Sequence, residues 1–255
     1  MIPGSSAPVD LAEGLPAMTQ LVKATPKATV SAAYRSGQRR PAGAALAAAA
    51  AIFLLLEFVA AAAWRSPPYS YTYHYISDLG VHGPLTAFGQ YMYSPLWWVM
   101  NTGFFLFGVL VFIGVALLNG LRGWRRGVLL GMAALVGAGG VVLALFPGDG
   151  EADRQGTVDF HGLGAMAAIV GGNILIIVLG RMYRDLRIGR KPGKAMVMLG
   201  AFGLVSTAAF LAVAGSGANV LVGLVERCAV YPILIGLISA GVSICRRSYR
   251  DTAAL

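Results

Sequence analysis

Three histidines, His74, His82 and His161, are all the imidazole chemistry this chain has, and each stands in a polar or turn-rich stretch beside carboxylates. His161 follows Asp159 by two positions, and His74 precedes Asp78 by four. Histidine titrates near neutrality, so an imidazole oriented by a carboxylate is a natural general acid or base. Asp159 has the place of an N-cap with His161 in the first helical turn, where the helix dipole favours the neutral imidazole. The candidate catalytic residues are therefore His161, Asp78, Asp159 and His74.

His74, Asp78 and His82 are spaced by four and would share one stripe of a helix, as metal ligands or as a base with its orienting group. Gly80 and Gly83-Pro84 interrupt such a helix, so a short helix or turn ending near Gly80 is expected instead. No metal set is assigned and the cofactor stays open, zinc being the ion such a stripe could take. Asp149, Glu151 and Asp153 alternate like a calcium loop, but the downstream bidentate glutamate is missing. Tyr69, Tyr71, Tyr73 and Tyr75 recur at period two, which an extended chain would place on one side as an interfacial belt.

Further candidates lie inside apolar stretches. Glu57, Glu226 and Arg227 are costly in a bilayer and are expected to face the interior and to pair, Glu57 with Arg227, leaving Glu226 for another role. As substrate-binding candidates Arg227, Glu226, Glu57, Ser77, Asn101 and Asp149 are named, Arg227 as a clamp for a phosphate or carboxylate. Asn101 and Asn173 are expected to hydrogen-bond across helices.

The elements that must position these groups are apolar helices. Of the 255 residues 57% are hydrophobic and 12% charged, with mean hydropathy +0.69, about half the charge of a soluble domain. A membrane crossing needs about 20 apolar residues, and six windows supply it: Ala42–Trp64, Pro95–Leu118, Val128–Phe146, His161–Gly180, Met196–Gly215 and Leu224–Cys245. The period-two alternation of a barrel is absent from them. The expected fold is all-α, a polytopic bundle of six transmembrane helices in one domain over residues 42–245. A disordered basic tail over 1–41 and a short tail over 246–255 flank it. Cys228 and Cys245 are 17 positions apart on one helix, too far to pair.

Seventeen of the 20 Lys and Arg fall in the N-terminal tail, 119–127, 181–194 and the C-terminal tail. The positive-inside rule puts those segments and both termini in the cytoplasm, in a plasma-membrane protein. Seven of the 11 acids and all three histidines gather on the opposite face, which carries the long outer loop 65–94 between the first two helices. Topology and anionic lipid account for the basic balance, so no nucleic-acid partner is expected, and membrane lipid is the expected partner.

Glu57, the run Ile76-Ser77-Asp78-Leu79-Gly80, Pro95, Phe146-Pro147 with Asp149, His161-Gly162 and Glu226-Arg227 together resemble the "domain of unknown function 998" family of prokaryotic integral membrane proteins. The likeness covers about residues 45–245. It implies a six-helix membrane fold and brings no activity with it. A fainter likeness runs to eukaryotic membrane proteins that remodel the lipid of GPI anchors. The His, Asp and Ser complement is also similar to that of zinc-dependent membrane hydrolases such as alkaline ceramidases, from which the chain departs by having six helices and no late His-x3-His pair. The expected function is a membrane-embedded enzyme for a lipid or lipid-linked substrate at the outer leaflet, by hydrolysis or acyl transfer. The alternatives are a small transporter built on Glu57, Glu226 and Arg227, or a non-catalytic lipid-binding subunit.

Overall fold

Residues 39–253 are described by the computed structural model, so 1–38 of the N-terminal tail lie outside the described residues, while 39–41 already belong to the first helix. Each apolar window forms a helix, because a chain in lipid must satisfy its backbone within the segment. The helices are α1 (Arg39–Ala63), α2 (Trp97–Ala116), α3 (Trp124–Leu145), a five-residue surface helix α4 (Glu151–Gln155), α5 (Phe160–Arg181), α6 (Arg190–Ser216) and α7 (Val222–Ala253). Six are long and apolar enough to cross a membrane. Tryptophans mark both ends of this slab: Trp97 and Trp98 open α2 and Trp124 opens α3, all exposed, as interfacial rings are in membrane proteins. The last helix continues through 246–253, the stretch the sequence sets apart as a tail.

The six long helices close a ring. Each packs on its neighbour in the order α1, α2, α3, α5, α6, α7, and α7 returns to α1; α5 and α7 also touch, which leaves α6 on the outside. Glycine sets the closest seams. A Cβ on Gly140 of α3 would lie 2.6 Å from the Phe104 carbonyl and 2.9 Å from Gly108 Cα on α2. One on Gly139 would lie 2.7 Å from the Gly164 carbonyl of α5. Backbones this close gain van der Waals contact that lipid cannot supply, which is why small residues mark membrane helix seams. Gly217 ends α6 in the left-handed region at φ 66°, the conformation a helix-ending glycine takes without strain.

The connections 64–96, 146–159 and 217–221 meet at one end of the ring, the loop end. Asn219 donates to the Phe88 carbonyl at 2.7 Å, joining 217–221 to 64–96, Gln90 donates to the Tyr73 carbonyl at 2.8 Å within 64–96, and Gly150 packs close to Ala87 of the same connection. The long 64–96 connection carries a 3-10 turn (Ser77–Gly80) and a hairpin, β1 (Leu85–Ala87) paired antiparallel with β2 (Gln90–Met92). The Tyr69–Tyr75 run is not extended. His74 N–H donates to Ser70 O at 2.9 Å and Ser70 N–H donates to His74 Nδ1 at 2.9 Å, which folds the segment into a turn. Tyr69 turns inward while Tyr71 and Tyr73 stay exposed.

Gly140→Ala is expected to lower stability by about 1–3 kcal/mol, because only backbone stands in the way of the new methyl. Thermal unfolding in detergent checks this, and an unchanged midpoint would contradict the seam.

Candidate functional site

Two polar clusters lie under the loop end, on opposite sides of the first turns of α7. The first is a buried anchor around Arg227, which the helical repeat aims at α1. Arg227 Nε and Nη2 donate to Glu57 Oε1 at 3.1 and 2.9 Å, and Nη2 also reaches the Tyr69 hydroxyl at 2.6 Å. Nη1 donates to the carbonyls of Tyr71 at 2.8 Å, His74 at 3.2 Å and Gly223 at 3.0 Å. Tyr231, one turn further along α7, donates to the same Glu57 oxygen at 3.1 Å. The guanidinium carbon stands 4.7 Å from the centroid of the Tyr71 ring. The ion pair inferred from sequence is thus present, with the loop backbone as its third member.

His74 belongs to this anchor. Its ring stacks against both Trp64 and Tyr69, with centroids 5.2 and 5.3 Å away, and those two rings touch each other at 5.3 Å. Accepting from Ser70 N–H requires Nδ1 without a proton, and burial, then Arg227, pulls its pKa below the usual histidine value. The Tyr69 phenol is pushed up by burial, against the pull of Arg227. His82 meets the edge of Trp97 at 5.6 Å on the exposed surface. The expected His74–Asp78–His82 stripe does not form, because a turn, a 3-10 segment and an exposed strand approach carry the three residues apart. Among the described residues no three His, Cys, Asp or Glu side chains gather as a metal-ligand set.

The second cluster lines a cavity of about 650 Å³ that opens among the three connections and descends between the helices. Its depth is apolar, made by Phe53, Phe104, Phe107, Ile169, Ile233 and Leu234. The deepest of these lie ten to twelve residues inside their helices, about 15–18 Å down at 1.5 Å per residue, and the basic half of the bundle contributes no wall. Its upper wall is acidic: Asp78, Asp149, Glu151, Asp153, Asp159 and Glu226 line it, and no Lys or Arg does.

Asp78 is 1% exposed. Its Oδ2 accepts from Tyr75 N–H at 2.9 Å, while Oδ1 has no partner within the protein. Asn101 of α2 fixes the 3-10 turn that carries it, donating to the Gly80 carbonyl at 3.1 Å. Burial first, then the Glu226 carboxylate, holds Asp78 well above the usual carboxylate range, and burial likewise pushes the Tyr75 phenol up to about 12. Glu226 Oε2 accepts from Ile76 N–H, so consecutive α7 residues hold the loop from both sides. Ser77 lines the wall beside Asp78. Asn173 bonds across helices as expected, donating to the α7 carbonyl of Ala229 at 2.9 Å.

Across the cavity, Asp159 caps α5 by accepting from Gly162 N–H at 2.8 Å. His161 Nδ1 meets the Phe146 carbonyl at 2.8 Å. A carbonyl only accepts, so Nδ1 carries the proton and Nε2 is left as a base. The orienting partner of His161 is therefore this carbonyl, neither Asp159 nor Asp78. A Cβ on Gly148 would lie 2.8 Å from Nε2, so the Pro147-Gly148 turn needs glycine to let the ring in. Asp149 Oδ1 accepts from Glu151 N–H at 2.9 Å and starts α4.

Ser77, Asp78, Asp149, Asp159, His161 and Glu226 thus share one cavity, while Glu57, Arg227, His74 and Asn101 do not line it. The reading of Arg227 as an anion clamp is corrected, since every nitrogen of its guanidinium is engaged by the protein. Sequence reasoning missed Tyr231, which its i+4 spacing from Arg227 could have flagged, and the Phe146 carbonyl, which no side-chain pattern reveals.

Arg227→Ala is expected to destabilise by about 3–5 kcal/mol by leaving Glu57 buried and unpaired; a loss below about 1 kcal/mol in thermal unfolding would contradict the anchor. Asp78 gives a pH signature. Its folded pKa lies above its ordinary 3.8, so its contribution to stability is lost as pH rises. At pH 8, well above the ordinary histidine value from which its folded pKa is lowered, His74 is uncharged both folded and unfolded. Asp78→Asn is expected to unfold at higher temperature than the parent at pH 8 and to depend less on pH; equal profiles would contradict it.

No curated protein and no solved structure matches the chain. Residues 32–243 match the family described as "Protein of unknown function (DUF998)". With most of its length inside that match and six apolar helices, the chain is a membrane protein that belongs to this family.

Proposed function

We propose that the protein is a membrane-embedded enzyme that takes a lipid or lipid-like amphiphile into this cavity and transforms it beside the headgroup, by hydrolysis or acyl transfer. The observation that carries the reading is a one-ended cavity, apolar in its depth and polar at its mouth, of a volume typical of ligand sites. An acyl chain fits the lower part and its polar head the upper part. A transporter would need the cavity, or its Glu57–Arg227 pair, to connect both faces; the cavity stops midway and the pair lies off it.

His161 Nε2 takes a proton from the attacking water or substrate hydroxyl, whose oxygen bonds to the acyl carbon. Asp78, on the facing wall with one oxygen free of protein partners, holds the polar head of the substrate so that the reacting carbon stays beside His161. As the C–O bond to the leaving group breaks, the proton on His161 passes to the departing oxygen, and the base is restored. The surplus of Lys and Arg on the other end supports an orientation with this mouth outside the cell and both termini in the cytoplasm.

Purified protein incubated with a panel of membrane lipids, with products followed by mass spectrometry, tests the reaction. His161→Asn is expected to reduce turnover by about 10²–10⁴-fold at unchanged thermal stability. Equal turnover in that variant, or no product from any lipid of the panel with the parent protein, would overturn the reading.

A further inference from the structure

The headgroup that this cavity accepts is written in its charge. Resting on the amphiphile reading above, we infer that the cavity selects an amphiphile whose head carries a cationic nitrogen, an amine or quaternary ammonium, seated between Asp78 and Glu226. Two independent observations meet here. The first is sign: six carboxylate side chains line the upper wall and no Lys or Arg does; Arg154 at the mouth donates to the Asp149 carbonyl, and Arg227 is sealed behind the loop by Glu57 and three backbone carbonyls. An anionic head seated at Asp78 and Glu226 would therefore meet like charge with no Lys or Arg on the cavity wall, whereas a cation is drawn in.

The second observation is the buried Oδ1 of Asp78, on the cavity wall and without any partner in the protein. A buried polar oxygen left unpaired is destabilising unless something else supplies the hydrogen bond or charge. An ammonium group offers both at once, and a quaternary nitrogen offers the charge. Aromatic faces complete the surroundings. Tyr75 and Phe210 line the same level with ring centroids 6.0 Å apart at 78°, and Phe88 stands at the mouth. Rings beside carboxylates are the surroundings that quaternary ammonium groups favour, through attraction to the ring faces. The apolar depth then takes the chain.

The full chain in maltoside micelles, offered three probes with the same twelve-carbon tail, tests this by native mass spectrometry: dodecylammonium, dodecanol and dodecyl phosphate. Dodecylammonium is expected to bind at least about tenfold more tightly than dodecyl phosphate, with dodecanol between them. Glu226→Gln and Asp78→Asn each preserve an acceptor for the Ile76 or Tyr75 N–H and are expected to lose about tenfold for the cation alone, as removal of a charged partner does. Dodecanol binding serves as the folding control for both variants. Displacement of dodecylammonium by phosphatidylethanolamine would assign the amine to a membrane lipid, and failure to displace it would assign a free alkylamine. If the three probes bind equally, the cavity reading survives and the cationic head is overturned. If none binds, both fall.

Discussion

Arg227 is buried beside Glu57 in the half of the membrane that holds the cavity, and the placement of everything at the loop end follows from how its charge is met. A guanidinium there needs an acceptor on every side. Glu57 supplies one side from α1, and the other is supplied by the backbone of the 69–76 loop, which has few regular hydrogen bonds of its own. The cation thereby ties α1, α7 and the longest connection into one body. Buried pairs add little net stability compared with apolar packing, but they discriminate strongly between one arrangement and its rivals. Here the arrangement selected is the one that leaves a hollow on the far side of the loop.

Glu226 shows why the two clusters cannot be separated. It is the residue before Arg227, about 100° around the helix, so fixing Arg227 towards α1 turns Glu226 towards the ring interior. Its contact with Ile76 N–H then sets the backbone just before the turn that carries Asp78. The wall that carries Asp78 is thus a consequence of the anchor behind it. Glycine seams between α2, α3 and α5 hold the opposite wall at fixed spacing, while α6 closes the ring from outside. A low-dielectric cavity with one buried carboxyl, one imidazole base and an apolar floor suits a reaction at the junction of a head and a chain.

The six helices were legible because hydropathy over about 20 residues is dictated by the solvent and not by the partner helices. The Glu57–Arg227 pair was legible for a related reason, since a charge in lipid has to find its opposite. The Asp159 cap and the Gly217 stop were likewise local. What escaped was set by long-range backbone contacts. Nothing in the Tyr69–Tyr75 alternation says that His74 will accept from Ser70 and curl the run into a turn. Nor does any spacing say that His161 will find the Phe146 carbonyl in place of a carboxylate. Sequence paired Arg227 with Glu57 and left Glu226 for another role; the helical geometry shows that role to lie in a second cluster, on the cavity wall.

The central claim is that the loop end encloses a site for one amphiphile, head uppermost among the acids. The most direct measurement is an experimental density map of the protein purified with its native lipids. The account predicts an elongated feature in the cavity, with its head between Asp78, Glu226 and His161 and its tail between Phe104 and Ile233. A cavity holding only water, with lipid confined to the outer surface of the ring, would contradict it.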